Sequence, residues 1–354
     1  MTERIEFGWF VPTYGDGRTL LDDVTGVEPG MELFTRVAQT AERAGFEYLL
    51  VPVAVTCWEA WIVTSMLIPQ TTSIDMLVAA RPGLIQPTLM AKMISTFDQM
   101  SGGRIRINLI AGGGMEEMAA DGVFLDHDDR YSLMDETVEL MKRCWTGPGR
   151  VSYEGRHVRV VDADVRPKPL QKPHPPFYLG GISPAAVEVG VRHADVYLLW
   201  SNTVEQIRAD LATVREAAER AGRSGLRFGV RSHVLVRDTE AEARRDAEAL
   251  IAQSTDRHRA NRQKVMGNQS HADGRMRDLV ASTAERDYWL GDTLYAGVST
   301  IRHGAGVVIC GTPDQVAGTL QTYVDLGVTS FCLSGWPHDE EAERFGDLVM
   351  PAFR

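Results

Sequence analysis

The sequence predicts an α/β protein of the (β/α)8 class, a TIM barrel with insertions, and three observations lead there. Short β-rich runs alternate with longer amphipathic segments along most of the chain, which is the signature of βα units and a parallel sheet. There are eight such runs, the number that a closed barrel requires. Two of them carry polar residues in phase on one face, as expected of strands whose inner side serves a ligand near a barrel mouth. The chain has 354 residues, of which 44% are hydrophobic and 24% charged, so a substantial core can form and general disorder is excluded. At roughly 150 residues per domain this length admits two, but α/β barrels reach it as one. A single domain over 1–354 is expected.

The elements follow in order. Strand Ile5 to Val11 precedes a helix over Met31 to Ala44 that Gly45 is placed to cap. Strands Tyr48 to Val53 and Ile74 to Ala80 come next, then a helix over Pro87 to Met100. In the fourth strand, Arg104 to Ala111, alternation puts Ile105, Ile107 and Leu109 on one face and Arg104, Arg106 and Asn108 on the other. The apolar face would meet helices and the polar face would point inward. After a helix over Ser132 to Trp145, the segment 146–176, with five prolines from Pro167 to Pro176, is read as an inserted hairpin followed by an irregular loop. Strand Phe177 to Gly180 and helix Ser183 to His193 are followed by strand Val196 to Trp200 and helix Val204 to Ala221. The seventh strand, Arg227 to Val236, carries Val230, Val234 and Val236 in one phase and Arg231, His233 and Leu235 in the other, which projects Arg231 and His233 into the same space. A polar insertion over 252–306 is expected as a lid or mobile loop, because barrel sites are built from loops at the strand C-terminal ends. A helix over Pro313 to Leu326, with Gly327 behind it, and strand Thr329 to Ser334 complete the chain. An antiparallel sheet with one wet face would show the same alternation within a strand, so the order of the elements decides for the barrel.

Charge narrows the functional classes. With 37 Lys+Arg against 48 Asp+Glu, the net charge of -11 opposes general binding to nucleic acid or to an anionic membrane surface. Any anionic ligand must be held by a few local cations. Neither a signal-peptide apolar core nor a run of about 18 apolar residues occurs, so a cytoplasmic location is expected. Cys57, Cys144, Cys310 and Cys332 lack ligand or framework spacing, and neither disulfides nor structural zinc are expected. His127 among Asp126, Asp128 and Asp129 reads as a solvated acidic turn, not a metal cluster.

Several residues remain as candidates for chemistry. Gly112-Gly-Gly114 follows the fourth strand, and Gly180-Gly-Ile-Ser183 follows the fifth and opens a helix. Each is either a tight turn or a close backbone approach to a phosphate, with the Ser183 hydroxyl as an added donor. Arg231, His233 and Arg302 form a cationic set able to hold a permanently charged oxyanion such as a sulfonate. The alternatives are an internal salt bridge for Arg231, a solvated loop charge for Arg302 and a satisfied core histidine for His233. Cys57 is a nucleophile or pocket packing. Trp200 and Trp336 sit at the end where barrel ligands bind, as pocket walls or core caps.

At these residues the sequence resembles the bacterial-luciferase-like flavin monooxygenases, and within them the alkanesulfonate monooxygenase group, nearly end to end. The resemblance rests on Trp9-Phe-Val-Pro-Thr-Tyr-Gly-Asp-Gly17, Thr56-Cys-Trp-Glu-Ala-Trp61, Asp121-Gly-Val-Phe-Leu-Asp-His-Asp-Asp-Arg-Tyr131, Pro176-Phe-Tyr-Leu-Gly-Gly181, Arg227-Phe-Gly-Val-Arg-Ser-His-Val234, Arg302-His-Gly-Ala-Gly306 and Leu333-Ser-Gly-Trp-Pro-His338. It implies a (β/α)8 barrel that takes reduced FMN from a separate NAD(P)H-dependent FMN reductase, uses O2, and cleaves the C–S bond of an organosulfonate to sulfite and an aldehyde. It also implies flavin contacts at Asn108, Gly112, Tyr131, Gly181 and Ser183, and a substrate- and peroxide-stabilising set at Arg231, His233 and Arg302, with Arg302 on a closing loop. Cys57, Trp200, Trp336 and Tyr14 would line the substrate pocket, and a homodimer or homotetramer is implied. Trp336 stands where the alkanesulfonate enzymes carry a tyrosine, and Tyr14 where a histidine is usual. Both exchanges alter pocket size and proton donors, which admits another organosulfonate or a sulfone. Within the wider family, oxygenation of a heterocycle or ketone, hydride transfer with a deazaflavin, and flavin binding without turnover are the rival outcomes.

Overall fold

Eight parallel strands close into one barrel in the computed structural model, which describes residues 4–21, 26–266 and 271–354. In chain order the strands are β1 (Glu6–Phe10), β2 (Tyr48–Val51), β3 (Asp75–Ala80), β4 (Ile105–Leu109), β5 (Val151–Glu154), β6 (Arg159–Ala163), β7 (Phe177–Leu179), β8 (Val196–Trp200), β9 (Arg227–Arg231), β10 (His233–Val236), β11 (Leu294–Tyr295), β12 (Val308–Gly311) and β13 (Val328–Cys332). The barrel runs β1-β2-β3-β4-β7-β8-β9-β13 and returns to β1. These eight correspond to the eight expected runs, and the fold is a TIM barrel. Helices over Met31–Ala44, Pro87–Ser101, His127–Thr146, Pro184–His193, Val204–Arg220 and Pro313–Asp325 connect them. No helix among the described residues is long and apolar enough to cross a membrane.

Alternation along the strands divides the core in two. Ile105, Ile107 and Leu109 join Phe7, Trp9, Val78 and Phe177 in the large cluster between strands and helices. Phe10, Tyr48, Leu50, Leu77, Tyr178, Leu198 and Cys332 fill the barrel itself. A Cβ on Gly8 would lie 2.0 Å from the Tyr48 ring, so only glycine lets that ring occupy the interior. Below these rings the floor is ionic: Arg106 pairs with Asp75 at 2.9 Å and Glu6 at 3.3 Å, and Arg227 pairs with Glu6 at 3.0 Å. Arg106 also donates to the Tyr178 hydroxyl at 2.7 Å. Two cations therefore face two carboxylates in a closed set.

Four expectations need correction. The run Arg227 to Val236 is two strands, broken at Ser232, whose hydroxyl donates to the carbonyls of His233 and Val307. Its amide still bonds the barrel through Cys332 O, while the His233 amide turns to Val307 O. Beyond the break, β10 pairs with β12, and β11 joins on the far side as a second, outer sheet. The helix expected from Ser132 begins at His127, because the Asp126 carboxylate accepts from the Asp129 amide as an N-cap and acidic residues suit a first turn. The acidic turn is thus a helix start. Finally, the 252–306 insertion is largely helical, with helices Asp256–Met266 and His271–Thr283; residues 267–270 lie outside the described residues. The 146–176 insertion carries the antiparallel hairpin β5–β6, which Glu136 holds by accepting amides of Arg156, His157 and Val158 at 2.7–2.9 Å.

Candidate active site

A cavity of about 920 Å3 opens at the C-terminal ends of the barrel strands. Its size lies within the range of about 300–1,000 Å3 typical of small-molecule and cofactor pockets. Asn108 reaches it from β4, Trp200 from β8 and Arg231 from β9, while loops supply Tyr14, Cys57, Arg81 and Arg302. The insertion helix His271–Thr283 contributes His271, Asp273, Arg275 and Met276. This is where barrel strands gather functional side chains, because each chain leaves the barrel there at the same level.

One side of the cavity is built for close approach. Gly112 and Gly181 have φ of +90° and +124°, and a Cβ on either would collide, with Met118 Sδ at 2.2 Å or with Ala186 Cβ at 2.8 Å. The Ser183 oxygen accepts the Ala186 amide and caps helix Pro184–His193, so its own proton stays free to donate at a helix N-terminus. Tyr131, from helix His127–Thr146, faces the same wall, and burial pushes its phenol up to about 12, which keeps the O–H as a donor at neutral pH. The donor set, the glycines and the room suit a phosphorylated planar cofactor. A side chain at Gly112 or Gly181 would have to displace Met118 or Ala186 behind this wall.

The opposite side is cationic. Arg231 is buried, donating to Cys332 O at 3.3 Å, to Ser334 Oγ at 2.8 Å and to Ser232 O. Its guanidinium carbon lies 5.0 Å from the centre of the Phe10 ring, and that of Arg302 lies 5.8 Å from the same ring. Arg302 also faces the Tyr14 and Trp336 rings at 5.2 and 5.3 Å, and its Nη1 is buried without a hydrogen-bond partner. Among the described residues neither guanidinium has a carboxylate within ion-pair distance, whereas the neighbouring Arg81 and Arg275 pair with Glu117 at 2.6 Å and Asp210 at 2.5 Å. The internal salt bridge weighed for Arg231 is absent.

His233 stands one layer behind the cavity. Its Nε2 lies 2.8 Å from Ala305 O, which can only accept, so Nε2 carries the proton and donates. Nδ1, at 2.7 Å, must then accept from the Ser334 hydroxyl, whose oxygen in turn accepts from Arg231. Burial, then the charges of Arg231 and Arg302, hold His233 well below the usual imidazole range, so it is neutral. Arg231 and His233 therefore meet through Ser334, not in one open space. The reason is the break at Ser232, which ends the alternation that placed them on one face.

Trp336 likewise does not line the cavity. It is buried against His233, with ring centres 4.5 Å apart, and backs the Arg302 guanidinium. Tyr14 does line it, and its hydroxyl is buried without a partner. Cys57 lines it too; burial pushes the thiol up, so it is protonated at neutral pH and makes a poor nucleophile. Phe10, Arg81 and Ser334 escaped the sequence reading. Phe10 and Arg81 stand at or just after strand ends, a position that itself marks site residues, but a phenylalanine there reads as core.

A closed parallel barrel with its cavity at the strand C-termini, lined by glycines and arginines, is the frame that barrel enzymes use for a ligand site. Residues 5–330 match the model of the luciferase-like monooxygenase family, and the chain belongs to that family. Among solved structures it is similar to a riboflavin lyase with modified FMN and riboflavin (TM-score 0.83, 19% identity, 99% of this chain and 91% of that one). It is also similar to the EDTA monooxygenase of a Chelativorans species (0.79, 19%, 99% and 93%). A third is the coenzyme F420-dependent tetrahydromethanopterin reductase of Methanopyrus kandleri (0.71, 21%, 99% and 100%). At these identities the likeness concerns the fold, and specificity must be sought in the site.

Proposed function

We propose that the protein is a two-component monooxygenase that uses reduced FMN, delivered by a separate NAD(P)H-dependent reductase, and O2 to split the C–S bond of an organosulfonate into sulfite and an aldehyde. The observation that carries this reading is the pair of guanidiniums, Arg231 and Arg302, that share the Phe10 ring without a carboxylate. Desolvating a cation without a counter-charge is costly. A permanently anionic substrate supplies that counter-charge, and a neutral ketone or alkane does not. A sulfonate offers three oxygens to forked N–H donors, which suits arginine better than lysine.

Reduced FMN, when bound, supplies the electrons that activate O2. The chain's own part is placement. Asn108, Tyr131 and Ser183 would orient the flavin, with Gly112 and Gly181 allowing its approach. Arg231 is held by Ser334 and two main-chain carbonyls, so its direction is fixed before substrate arrives. Arg302 lies on the loop that forms the cavity roof, with Ala305 tied to His233, and closing that roof excludes water. Neutral His233 stays out of proton transfer and orients Ser334. The test is sulfite release from a panel of sulfonates with a flavin reductase and NADH, and no sulfite from any member sinks the assignment. A homo-oligomer belongs to the same reading. Ile62 and Met66 are exposed apolar side chains one turn apart on the helix Ala60–Leu67, with the exposed Trp58 just ahead of it, a face suited to a second copy, and light scattering measures it.

A further inference from the structure

Arg262 lies outside the cavity, on the insertion helix Asp256–Met266, yet it is almost wholly buried. All three of its guanidinium nitrogens are used. Nε donates to Arg302 O at 2.7 Å, Nη1 to His303 Nδ1 at 2.7 Å and Nη2 to Asp273 Oδ1 at 3.1 Å. These acceptors belong to two separate pieces of chain, the cavity roof at 302–303 and the second insertion helix, His271–Thr283.

The contrast with the two cavity arginines gives this arrangement its meaning. Among the described residues the buried Arg231 and the half-buried Arg302 have no carboxylate, whereas the charge of Arg262 is met by Asp273 at 3.1 Å. Arg262 is therefore not an anion-binding group. Its remaining donors grip the main chain of Arg302 itself and the ring that follows it. A rigid planar fork can satisfy three acceptors in one plane, which a lysine ammonium on a flexible stem cannot do with the same geometry. The Arg302 amide meanwhile donates to Val298 O at 3.0 Å, so the peptide units on both sides of its Cα are fixed. With its backbone tied, the side chain can only reach forward, to the Tyr14 and Trp336 rings and the cavity.

We propose that Arg262 is a positioning residue for anion binding: by clasping the Arg302 carbonyl and the His303 ring to both insertion helices, it holds Arg302 at the cavity and so sets affinity for the sulfonate group. This rests on the reading of Arg231 and Arg302 as the anion site. The insertion, in this view, acts on substrate from outside the pocket.

The test compares Arg262→Met and Arg262→Lys with Arg302→Ala in the full chain. Three quantities are measured: amide hydrogen exchange over 301–306, dissociation constants for inorganic sulfate and ethanesulfonate by calorimetry, and the dissociation constant for FMN. Losing charged hydrogen bonds to the roof should speed exchange there by about tenfold and weaken both anions by about tenfold in Arg262→Met, with FMN affinity within about twofold. Arg262→Lys should recover only part of either effect. Adding Arg262→Met to Arg302→Ala should cost little more anion affinity, since residues acting as one unit are non-additive. Unchanged roof exchange, or fully additive losses, would overturn the clasp. His303→Ala removes one acceptor and decides the matter should Arg262→Met fail to fold: it should speed roof exchange by a smaller factor, and no change counts against the proposal. If Arg302→Ala alone leaves anion affinity unaltered, the anion-site reading fails, while roof exchange in the Arg262 variants still judges the clasp.

Discussion

Arg302 stands in an unusual environment: three aromatic rings, no carboxylate among the described residues, and a buried nitrogen without a hydrogen-bond partner there. Aromatic faces offset part of the cost of holding a guanidinium without a counter-ion. A charged ligand would offset more. Arg302→Ala should therefore lower kcat/KM for a sulfonate by about ten- to a hundredfold while leaving the FMN dissociation constant within about twofold. Steady-state sulfite release and a flavin fluorescence titration separate the two effects. His233 yields a different expectation. The acceptor at Ala305 fixes its Nε2–H form, and burial with two nearby guanidiniums disfavours a second proton. Its imidazole nitrogens should show no titration in NMR spectra between about pH 5 and 8, where an ordinary histidine changes charge; a titration there contradicts the hydrogen-bond chain. Arg231 and Arg302 were legible as cations at one end of the barrel because their residue type and strand or loop position are local properties. Phe10 between them and Ser334 beneath them were not, since each acquires its role only from neighbours brought in by other strands.

At the level of elements, periodicity served well wherever one face met a core. All eight barrel strands fall in that class. The helices Asp256–Met266 and His271–Thr283 were read as loop because charged residues dominate them and few apolar positions mark a face. Strand β12 is four residues long and follows directly after that insertion, too short for a period to emerge. The break at Ser232 left no compositional trace, because both halves alternate normally. Some joints between elements are polar and were equally silent in the sequence. Glu42, near the end of helix Met31–Ala44, accepts the amides of Thr72, Ser73 and Ile74 at 2.6–3.0 Å as the chain enters β3. Partial burial works against its charge, but these bonds prevail and hold the carboxyl at about 2 instead of 4.5. Because the folded value is depressed, the stabilisation is full above the ordinary carboxylate range and is lost as pH falls through about 2. Glu42→Gln should cost about 1 kcal/mol at most at pH 7, given solvent screening, and progressively less below pH 4. Melting curves of both proteins across that range check the sign.

Across the whole molecule, the overall charge and the cavity charge have opposite signs. The net charge of -11 turns small anions away at a distance, while Arg231 and Arg302 act inside a screening length of about 8 Å at physiological salt. On the proposed anion site, anions are selected after entry and not steered from solution. Stopped-flow measurement with ethanesulfonate should show an association rate that does not fall as salt rises from about 20 to 200 mM, together with a weakening dissociation constant. A steeply falling association rate would mean that the outer surface attracts the ligand after all.

The ion set on the barrel floor gives this molecule an axial asymmetry. Glu6, Asp75, Arg106 and Arg227 cancel one another at the N-terminal end of the strands, so the barrel interior is neutral at its base and positive only at its rim. The two ends of the barrel interior therefore differ in charge, with the tyrosine rings between them. Whatever carries a negative charge into the cavity settles against the rim with that charge and leaves its uncharged end free to extend away from the arginines. On the proposed reading of the site, the floor thereby bears on which end of a substrate faces the chemistry, although it lies on the far side of the barrel from the cavity.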